Sequence, residues 1–363
     1  MQSTSRPAAV LETIARLLPE NPEACGAMLQ QESAWPALVE QARLHGFTGL
    51  LAGAGAGLRQ GPPPDILRAL ELHRAVSRAW YVHQWRTLEE ILAAFAAGSV
   101  RAAVLKGPWL AHRLYPEPSD RHAVDLDVLI ARADLDRALG ILTAAGWHSG
   151  DGPAARYARR HHHHVQVTRD GSPPLELHFR ARAGFGTIVE SEPLLARASA
   201  ARTPAGHQVL TLAPEDEFVY LALHAAGHAF ARLIWLYDLK LLLRANPGFD
   251  WVLAATRAGQ IGAGAPVAFA CRLLRERLGL TIPPLPALRG TGPRHALARA
   301  VQRRVVADAG PLAIDRLGGL AFTSLLSRSP LAALRLWSHH TARGLKRRMH
   351  RVAPRLVSPD WSG

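Results

Sequence analysis

The most informative part of this chain is the stretch Val124-Asp125-Leu126-Asp127-Val128-Leu129-Ile130. Its β-branched and aliphatic residues predict a buried strand, because such side chains pack well on a pleated surface. Side chains alternate between the two faces of a strand, so Asp125 and Asp127 share one face. At this spacing the carboxylates repel each other by about 2 to 3 kcal/mol at an effective dielectric constant of about 20. A hard cation such as Mg²⁺ would relieve that repulsion.

A second strand of the same kind follows at Leu175-Glu176-Leu177-His178-Phe179. Alternation places Glu176 and His178 on one face of this strand. If the two strands are neighbours, Glu176 joins Asp125 and Asp127, and three carboxylates can hold two metal ions. We therefore expect Glu176 to bind metal or to accept a proton.

The run Leu105-Lys106-Gly107-Pro108 predicts a strand, a glycine turn and a helix that begins at proline. The first N–H groups of a helix have no partner within the helix and bind phosphate readily. Lys106 and Gly107 are therefore candidates for binding a triphosphate, with Lys106 contacting it directly. The alternative is a solvated lysine beside an ordinary turn.

Arg121 lies four residues before Asp125, on the loop that leads into the first strand. Its planar, permanently charged group could clamp a phosphate. A structural ion pair with Asp120 or Asp125 is an equal alternative.

His224, His228 and Arg232 recur at four-residue spacing within a predicted helix Glu215–Arg244. Residues at this spacing share one face of a helix, so the three side chains are candidates for lining a nucleotide cleft. The histidine spacing also fits zinc, but the intervening 225–227 segment lacks the glutamate of a metalloprotease. The alternative is a set of packed or capping residues.

Two further runs attract attention. The histidines at 161–164 precede a β-like segment, where successive residues face opposite sides, so we interpret them as incidental loop histidines. The tail segment Lys346-Arg347-Arg348 would suit the phosphates of RNA or of a membrane, and a solvated helix end explains it equally well.

The pattern of the whole chain predicts an α+β protein with a small mixed sheet. We expect an N-terminal helical region at 1–97, a catalytic core at 98–185, and a C-terminal helical region with a basic tail at 186–363. Helices are predicted at Ala8–Leu18, Ala34–His45, Ile66–Arg78, Tyr81–Ala97, Pro108–Leu114 and Leu135–Ala145. Gly53–Pro64 is predicted as a loop, and the strands Val165–Thr168 and Leu175–Phe179 as a hairpin.

Composition limits the class of protein. Of 363 residues, 48% are apolar, which excludes wholesale disorder. No secretory signal begins the sequence, and no apolar run reaches the roughly 18 residues of a membrane span. Only Cys25 and Cys271 occur, so neither a disulfide framework nor a zinc knuckle is predicted. We expect a cytoplasmic protein without a membrane span.

The net charge of +14 is concentrated near the C-terminus, where residues 271–363 hold 17 Arg or Lys against four acidic residues. Such a surface can bind RNA, an acidic protein or anionic lipid. The arginines are spread among Ala and Leu at helical spacing, as on a solvated helix face. RNA binding is therefore possible but not favoured.

An ordered set of motifs resembles a little-characterised bacterial nucleotidyltransferase family with a DNA polymerase beta-like core. The set comprises Lys106-Gly107, Tyr115-Pro116, Arg121, the Asp125/Asp127 pair, Glu176 in an E-x-H strand, and His224 on a later helix. The similarity covers roughly residues 40 to 250. Better-known relatives have Gly-Gly or Gly-Ser in the phosphate turn, whereas this chain has Lys106-Gly107 followed by Pro108.

The resemblance implies a small mixed-sheet nucleotidyltransferase core flanked by helical regions. It also implies transfer of a nucleoside monophosphate from a nucleoside triphosphate, with Mg²⁺ (two ions) held by Asp125, Asp127 and Glu176. We expect ATP as the donor and a hydroxyl of a protein, peptide or small molecule as the acceptor. The alternatives are a catalytically weak nucleotide-binding regulatory or toxin–antitoxin-like protein, and an RNA-modifying nucleotidyltransferase.

Overall fold

The chain forms a seven-stranded mixed sheet with helices before and after it. The computed structural model describes residues 5–30, 32–56, 58, 61–150, 159, 162–286, 288, 293–309, 316–329, 331 and 333. Within them, the predicted α+β class with helical flanks is confirmed. The predictions for His161 and for Lys346, Arg347 and Arg348 lie outside the described residues.

Five helices precede the sheet in the residues that the structure describes: α1 (Ser5–Leu17), α2 (Pro22–Leu29), α3 (Trp35–His45), α4 (Thr48–Gly55) and α5 (Pro64–Ala97). The two predicted helices Ile66–Arg78 and Tyr81–Ala97 are one 34-residue helix, because Ala79 and Trp80 between them are compatible with a helix. Helix α4 continues to Gly55, so the predicted loop Gly53–Pro64 is helical at its start.

Among the described residues, the middle of the chain contributes the strands and three short α-helices. In chain order these are β1 (Ala102–Val104), α6 (Pro108–Leu114), β2 (Leu126–Ile130), α7 (Leu135–Ala144), β3 (His148–Ser149), β4 (His164–Thr168), β5 (Leu175–His178), β6 (Arg180–Gly184), β7 (Thr187–Glu190), α8 (Ser191–Arg197), β8 (Ser199–Arg202) and β9 (Gln208–Thr211). Strands β6 and β7 form a separate two-stranded sheet.

The large sheet has the order β3-β4-β5-β2-β1-β9-β8. Strand β2 is parallel to β5 and antiparallel to β1, and the predicted hairpin is confirmed as the antiparallel pair β4 and β5. Strands β8 and β9 extend the sheet beyond the segment 98–185 in which the core is predicted. The division of the chain into three regions stays a prediction.

Six helices follow within the described part of the chain: α9 (Pro214–Gly227), α10 (Leu233–Ala245), α11 (Trp251–Gln260), α12 (Gly264–Leu278), α13 (Pro293–Ala309) and α14 (Arg316–Leu325). The predicted single helix Glu215–Arg244 is wrong, because Ala229 and Phe230 adopt positive φ angles of 50° and 52°. Left-handed backbone costs about 1 to 2 kcal/mol per residue. Burial of the Phe230 ring against Phe269, at a centroid distance of 5.5 Å, offsets that cost.

Strand β2 is buried on both faces. Leu126, Val128 and Ile130 pack in one hydrophobic cluster with α5 and α7, as alternation predicts. Leu129 belongs to a second, larger cluster formed mainly with the helices that follow the sheet. Asp127 points to the same side as Leu129 and is fully buried. Among the described helices, none has both the length and the apolar character needed to cross a membrane.

Candidate active site

The two acidic strands are direct neighbours. In the parallel pair of β2 and β5, Asp127 lies opposite Glu176 and Leu129 lies opposite His178. One potential ligand atom from each of Asp127, Glu176 and His178 lies within 4.8 Å of the other two. The proximity of Asp127 and Glu176, which the sequence leaves conditional on strand pairing, therefore follows from the sheet register.

Lys106 lies between the two aspartates. Its Nζ atom is 2.6 Å from Asp127 Oδ2 and 3.3 Å from Asp125 Oδ1. Lys106 lies two residues after β1, which pairs with β2, so the sheet places the ammonium beside the acidic strand. The site is thus an acidic cluster with a buried lysine inside it, and the solvated-lysine alternative is wrong.

Burial and charge set the ionisation of this cluster. Burial opposes the charged form of Asp127, but Lys106 and His178 hold its pKa well below the usual range. Burial and the charge of Asp127 raise the pKa of Asp125. Burial also disfavours the ammonium of Lys106, yet Asp127 and Asp125 raise its pKa. Asp127 and Lys106 therefore form a stable ion pair, whereas the charged form of Asp125 is disfavoured by burial and by repulsion from Asp127.

His178 contacts both Asp127 and Glu176. Its Nε2 atom lies 3.1 Å from Asp127 Oδ1 and 3.4 Å from Glu176 Oε2. Burial alone would lower the pKa of His178, but these two carboxylates raise it. Burial would raise the pKa of Glu176, but the hydrogen bond from His178 outweighs it, so the pKa of Glu176 is lowered. The side chains of Asp125 and Glu176 are 31% and 26% exposed, so a ligand can approach them from solvent.

Gly107 permits the close approach of the lysine turn to the acidic strand. It adopts φ +69° and ψ −140°, a conformation that side chains other than glycine's avoid. A Cβ atom at this position would lie 3.3 Å from the carbonyl oxygen of Asp125. Helix α6 begins at Pro108 as predicted. The glycine thus has a packing role next to the predicted metal strand.

Arg121 forms an ion pair with Asp238, which lies far along the chain. Its Nε and Nη2 atoms donate to Asp238 Oδ1 at 2.7 Å and Oδ2 at 2.8 Å. Tyr115 Oη also donates to Asp238 Oδ1, at 2.7 Å, and all three residues are buried. The structural partner is therefore Asp238, and the expected partners Asp120 and Asp125 are wrong. This network ties the loop before β2 to helix α10.

His224, His228 and Arg232 are not on one helix, because the chain breaks after α9. His224 and His228 remain together, with ring centroids 5.0 Å apart, and both contact Trp235. Burial, then the positive charges of Lys106 and Arg182, hold the pKa of His224 well below its ordinary value. Arg232 precedes α10, and its Nε atom donates to the carbonyl oxygen of Leu44 at 3.2 Å. The histidines therefore border the acidic cluster, whereas Arg232 is directed to helix α3.

The sequence interpretation missed Arg182, on β6. Its guanidinium packs against Gly227 so closely that a Cβ atom there would displace the end of the Arg182 side chain. Burial lowers the pKa of Arg182, although the charges of Tyr220, Glu176 and Asp127 oppose the shift. Among the described residues no carboxylate forms an ion pair with it, and its buried Nε atom has no hydrogen-bond partner. The period-two pattern of Glu176 and His178, continued along the chain, reaches Arg182 and could have indicated it.

His163 and His164 are also drawn into the cluster. Their ring centroids lie 5.5 Å and 5.1 Å from that of His178. The chain bends at His163, immediately before β4, so the two neighbouring rings turn to the same side. Burial, followed by the charge of His178, lowers the pKa of His163 to about 2 and that of His164 to about 4. The premise that successive histidines face opposite sides is therefore wrong here.

The acidic residues fit a hard divalent cation. Asp127 Oδ2 is buried and has no directed hydrogen bond, although Lys106 Nζ lies 2.6 Å away. Asp125 and Glu176 add partly exposed carboxylate oxygens on the same side of the sheet. Oxygen donors of this kind suit Mg²⁺, which normally keeps water and substrate phosphate among its ligands.

Comparison with known proteins identifies the family of the chain. No curated protein matches the sequence. A family model described as "Uncharacterised nucleotidyltransferase" matches residues 31–279. The matched segment exceeds half of the chain and includes the whole acidic cluster together with Lys106, Arg182 and His224. The chain therefore belongs to this uncharacterised nucleotidyltransferase family.

Proposed function

We propose that this protein is a Mg²⁺-dependent enzyme that transfers a nucleoside monophosphate from a nucleoside triphosphate to an acceptor hydroxyl. ATP is the proposed donor, and the acceptor is a hydroxyl of a protein, peptide or small molecule. One observation carries the proposal: Asp127 lies opposite Glu176 on adjacent parallel strands, with Asp125 one pleat away. Buried cationic side chains border these carboxylates, as a polyanionic substrate requires.

Asp125, Asp127 and Glu176 would hold the metal. When bound, the metal neutralises phosphate charge and lowers the pKa of the attacking hydroxyl. The carboxylate of Glu176 is partly exposed and its pKa is lowered, so it is ionised near neutral pH and can accept the acceptor's proton. The acceptor oxygen bonds to the α-phosphorus, the bond from that phosphorus to the bridging oxygen breaks, and pyrophosphate leaves.

Arg182 and Lys106 are the proposed triphosphate contacts. The Nε atom of Arg182 is buried without a hydrogen bond, and the half-buried side chain has no ion-pair partner among the described residues, so an anionic ligand would stabilise it. Arg182 can also bind phosphate through two N–H groups at once. Lys106 is held at the same carboxylates, beside Gly107, and His224 and His228 border the site as neutral rings. Arg121 and Arg232 have other partners and are left out of the proposed nucleotide contacts.

Labelling tests the proposal directly. Purified protein is incubated with Mg²⁺, each of the four α-³²P-labelled nucleoside triphosphates in turn, and a cell lysate as the acceptor pool. The comparison is between wild type, Asp125→Asn and Asp136→Asn. Asp125→Asn suits the purpose because Asp127 already repels the Asp125 charge, so the fold should tolerate its removal. Asp136, 92% exposed on helix α7, is the matched control.

We expect wild type and Asp136→Asn to label an acceptor, most strongly with ATP, and Asp125→Asn to leave it unlabelled. The size of the labelled species distinguishes protein, RNA and small-molecule acceptors. Equal labelling by Asp125→Asn would contradict the proposed metal site. Nucleotide binding without labelling in any reaction would instead favour a nucleotide-binding regulator.

A further inference from the structure

Three histidines converge beside the carboxylates. His164 and His178 lie directly opposite each other in the antiparallel pair of β4 and β5, and the bend before β4 brings in His163. One ring nitrogen from each lies within 4.8 Å of a ring nitrogen of each of the others. Three imidazoles at this separation can share one ion.

The hydrogen bonding of His178 points to a ligand. Its Nε2 atom faces Asp127 Oδ1 at 3.1 Å and Glu176 Oε2 at 3.4 Å. The His178 side chain is only 3% exposed, and its Nδ1 atom is buried without a hydrogen-bond partner. Leaving a buried polar atom unpaired costs about 1 to 3 kcal/mol. Protein metal sites commonly have this arrangement, with one nitrogen on a carboxylate and the other on the ion.

His164 repeats the arrangement. Its Nε2 atom lies 3.7 Å from Glu176 Oε1, and its Nδ1 atom is buried without a partner. Two of the three rings therefore have one nitrogen directed at a carboxylate and an unpartnered nitrogen on the opposite side. His163 and His164 are half-buried, so an ion can reach the site from solvent.

We infer that His163, His164 and His178 form a binding site for a divalent transition metal, with Zn²⁺ as the fitting ion. Imidazole nitrogen suits Zn²⁺, whereas Mg²⁺ prefers oxygen, so this site is chemically distinct from the proposed Mg²⁺ site. Asp127 and Glu176 act as the hydrogen-bond acceptors that orient the His178 ring, and Glu176 also faces His164 at 3.7 Å. The inference does not require nucleotidyl transfer, because it rests on the positions of the three rings and on the unpaired nitrogens of His164 and His178, not on a nucleotide contact.

Cobalt provides the test, because Co²⁺ replaces Zn²⁺ and absorbs visible light when bound by imidazole. Untagged full-length protein is freed of metal by a chelator and titrated with Co²⁺ in excess Mg²⁺, which occupies oxygen sites. The variants are His163→Ala, His164→Ala and Asp125→Asn. His148→Ala is the matched control, because His148 lies on the neighbouring strand β3 and is exposed. Circular dichroism verifies that each variant is folded.

We expect wild type to bind a single equivalent of Co²⁺ with a visible spectrum that Zn²⁺ abolishes. His148→Ala and Asp125→Asn should retain this spectrum, and His163→Ala and His164→Ala should each lose at least nine tenths of it. Absence of stoichiometric Co²⁺ binding by wild type would overturn the inference. An unchanged spectrum in His163→Ala and His164→Ala would also overturn it, because the ion would then be bound by other residues. Mg²⁺-dependent nucleotide binding, measured on the same samples, reports separately on the proposed function.

Discussion

Replacing Asp238 by Asn should destabilise the fold strongly, because Arg121 would remain buried without its countercharge. Both side chains are almost fully buried, with 6% of Arg121 and 2% of Asp238 exposed. Tyr115 would also lose its hydrogen bond to a charged oxygen. The three residues link the loop before β2 to helix α10, so the loss affects the position of the acidic strand as well as stability.

The magnitude follows from the burial of the pair. Removing one partner of a buried ion pair costs about 3 to 5 kcal/mol, and the Tyr115 hydrogen bond is part of the same network, so its loss does not simply add. With a urea dependence of about 3 kcal/mol per molar, the upper end for small proteins, the midpoint of unfolding should fall by about 1 M or more. A loss of about 3 to 5 kcal/mol is a large share of the free energy of unfolding of a typical protein.

The change in midpoint is measured by urea unfolding, with tryptophan fluorescence as the signal. Glu40→Gln is the control. The Glu40–Arg43 pair is exposed, so this substitution should leave the urea midpoint unchanged. The combined variant Tyr115→Phe/Arg121→Met/Asp238→Leu, which replaces the network by apolar groups, should recover most of the loss. It should also bind nucleotide like wild type if Arg121 has only a structural role. An unchanged midpoint in Asp238→Asn would refute the reasoning.

Three further substitutions have definite expected outcomes. Gly49→Ala should lower the free energy of unfolding by about 1 to 3 kcal/mol, because its Cβ would lie 2.6 Å from Asp120 Cα, and an unchanged melting temperature would contradict this. Burial raises the pKa of Asp120 to about 6. Its neutral form therefore stabilises the fold at low pH, and this stability is lost as the pH rises through about 6. Asp120→Asn should thus stabilise the protein by up to about 3 kcal/mol near pH 8 and progressively less towards pH 5, and a gain independent of pH in urea unfolding would be inconsistent with this. Gly227→Ala should displace the flexible Arg182 side chain and weaken nucleotide binding as much as Arg182→Met, with fluorescence polarisation as the measurement and unchanged affinity as the contrary result.

Local periodicity was sufficient to predict the acidic strands. Alternation along β2 and β5 gives the faces of Asp127, Glu176 and His178, and these assignments agree with the sheet register. The hairpin of β4 and β5 and the helix that begins at Pro108 follow from turn chemistry in the same way. These features depend on a few neighbouring residues, so a single sequence contains enough information to predict them.

Contacts between distant parts of the chain were not predictable in this way. The pairing of Arg121 with Asp238 and the packing of Arg182 against Gly227 depend on how helices α9 and α10 meet the sheet. The break between those helices depends on burial of Phe230, which overrides a continuous helical pattern. Helical periodicity therefore wrongly placed Arg232 on one face with His224 and His228, which do remain together.

The most direct test of the central claim follows the two ends of the triphosphate separately. Wild type is incubated with Mg²⁺, lysate and ATP labelled either at the α-phosphate or at the γ-phosphate, with Asp125→Asn in parallel. Nucleotidyl transfer predicts that the α label becomes attached to the acceptor while the γ label leaves as pyrophosphate, and that Asp125→Asn attaches neither. Transfer of the γ label to the acceptor, or equal α labelling by Asp125→Asn, would contradict the account.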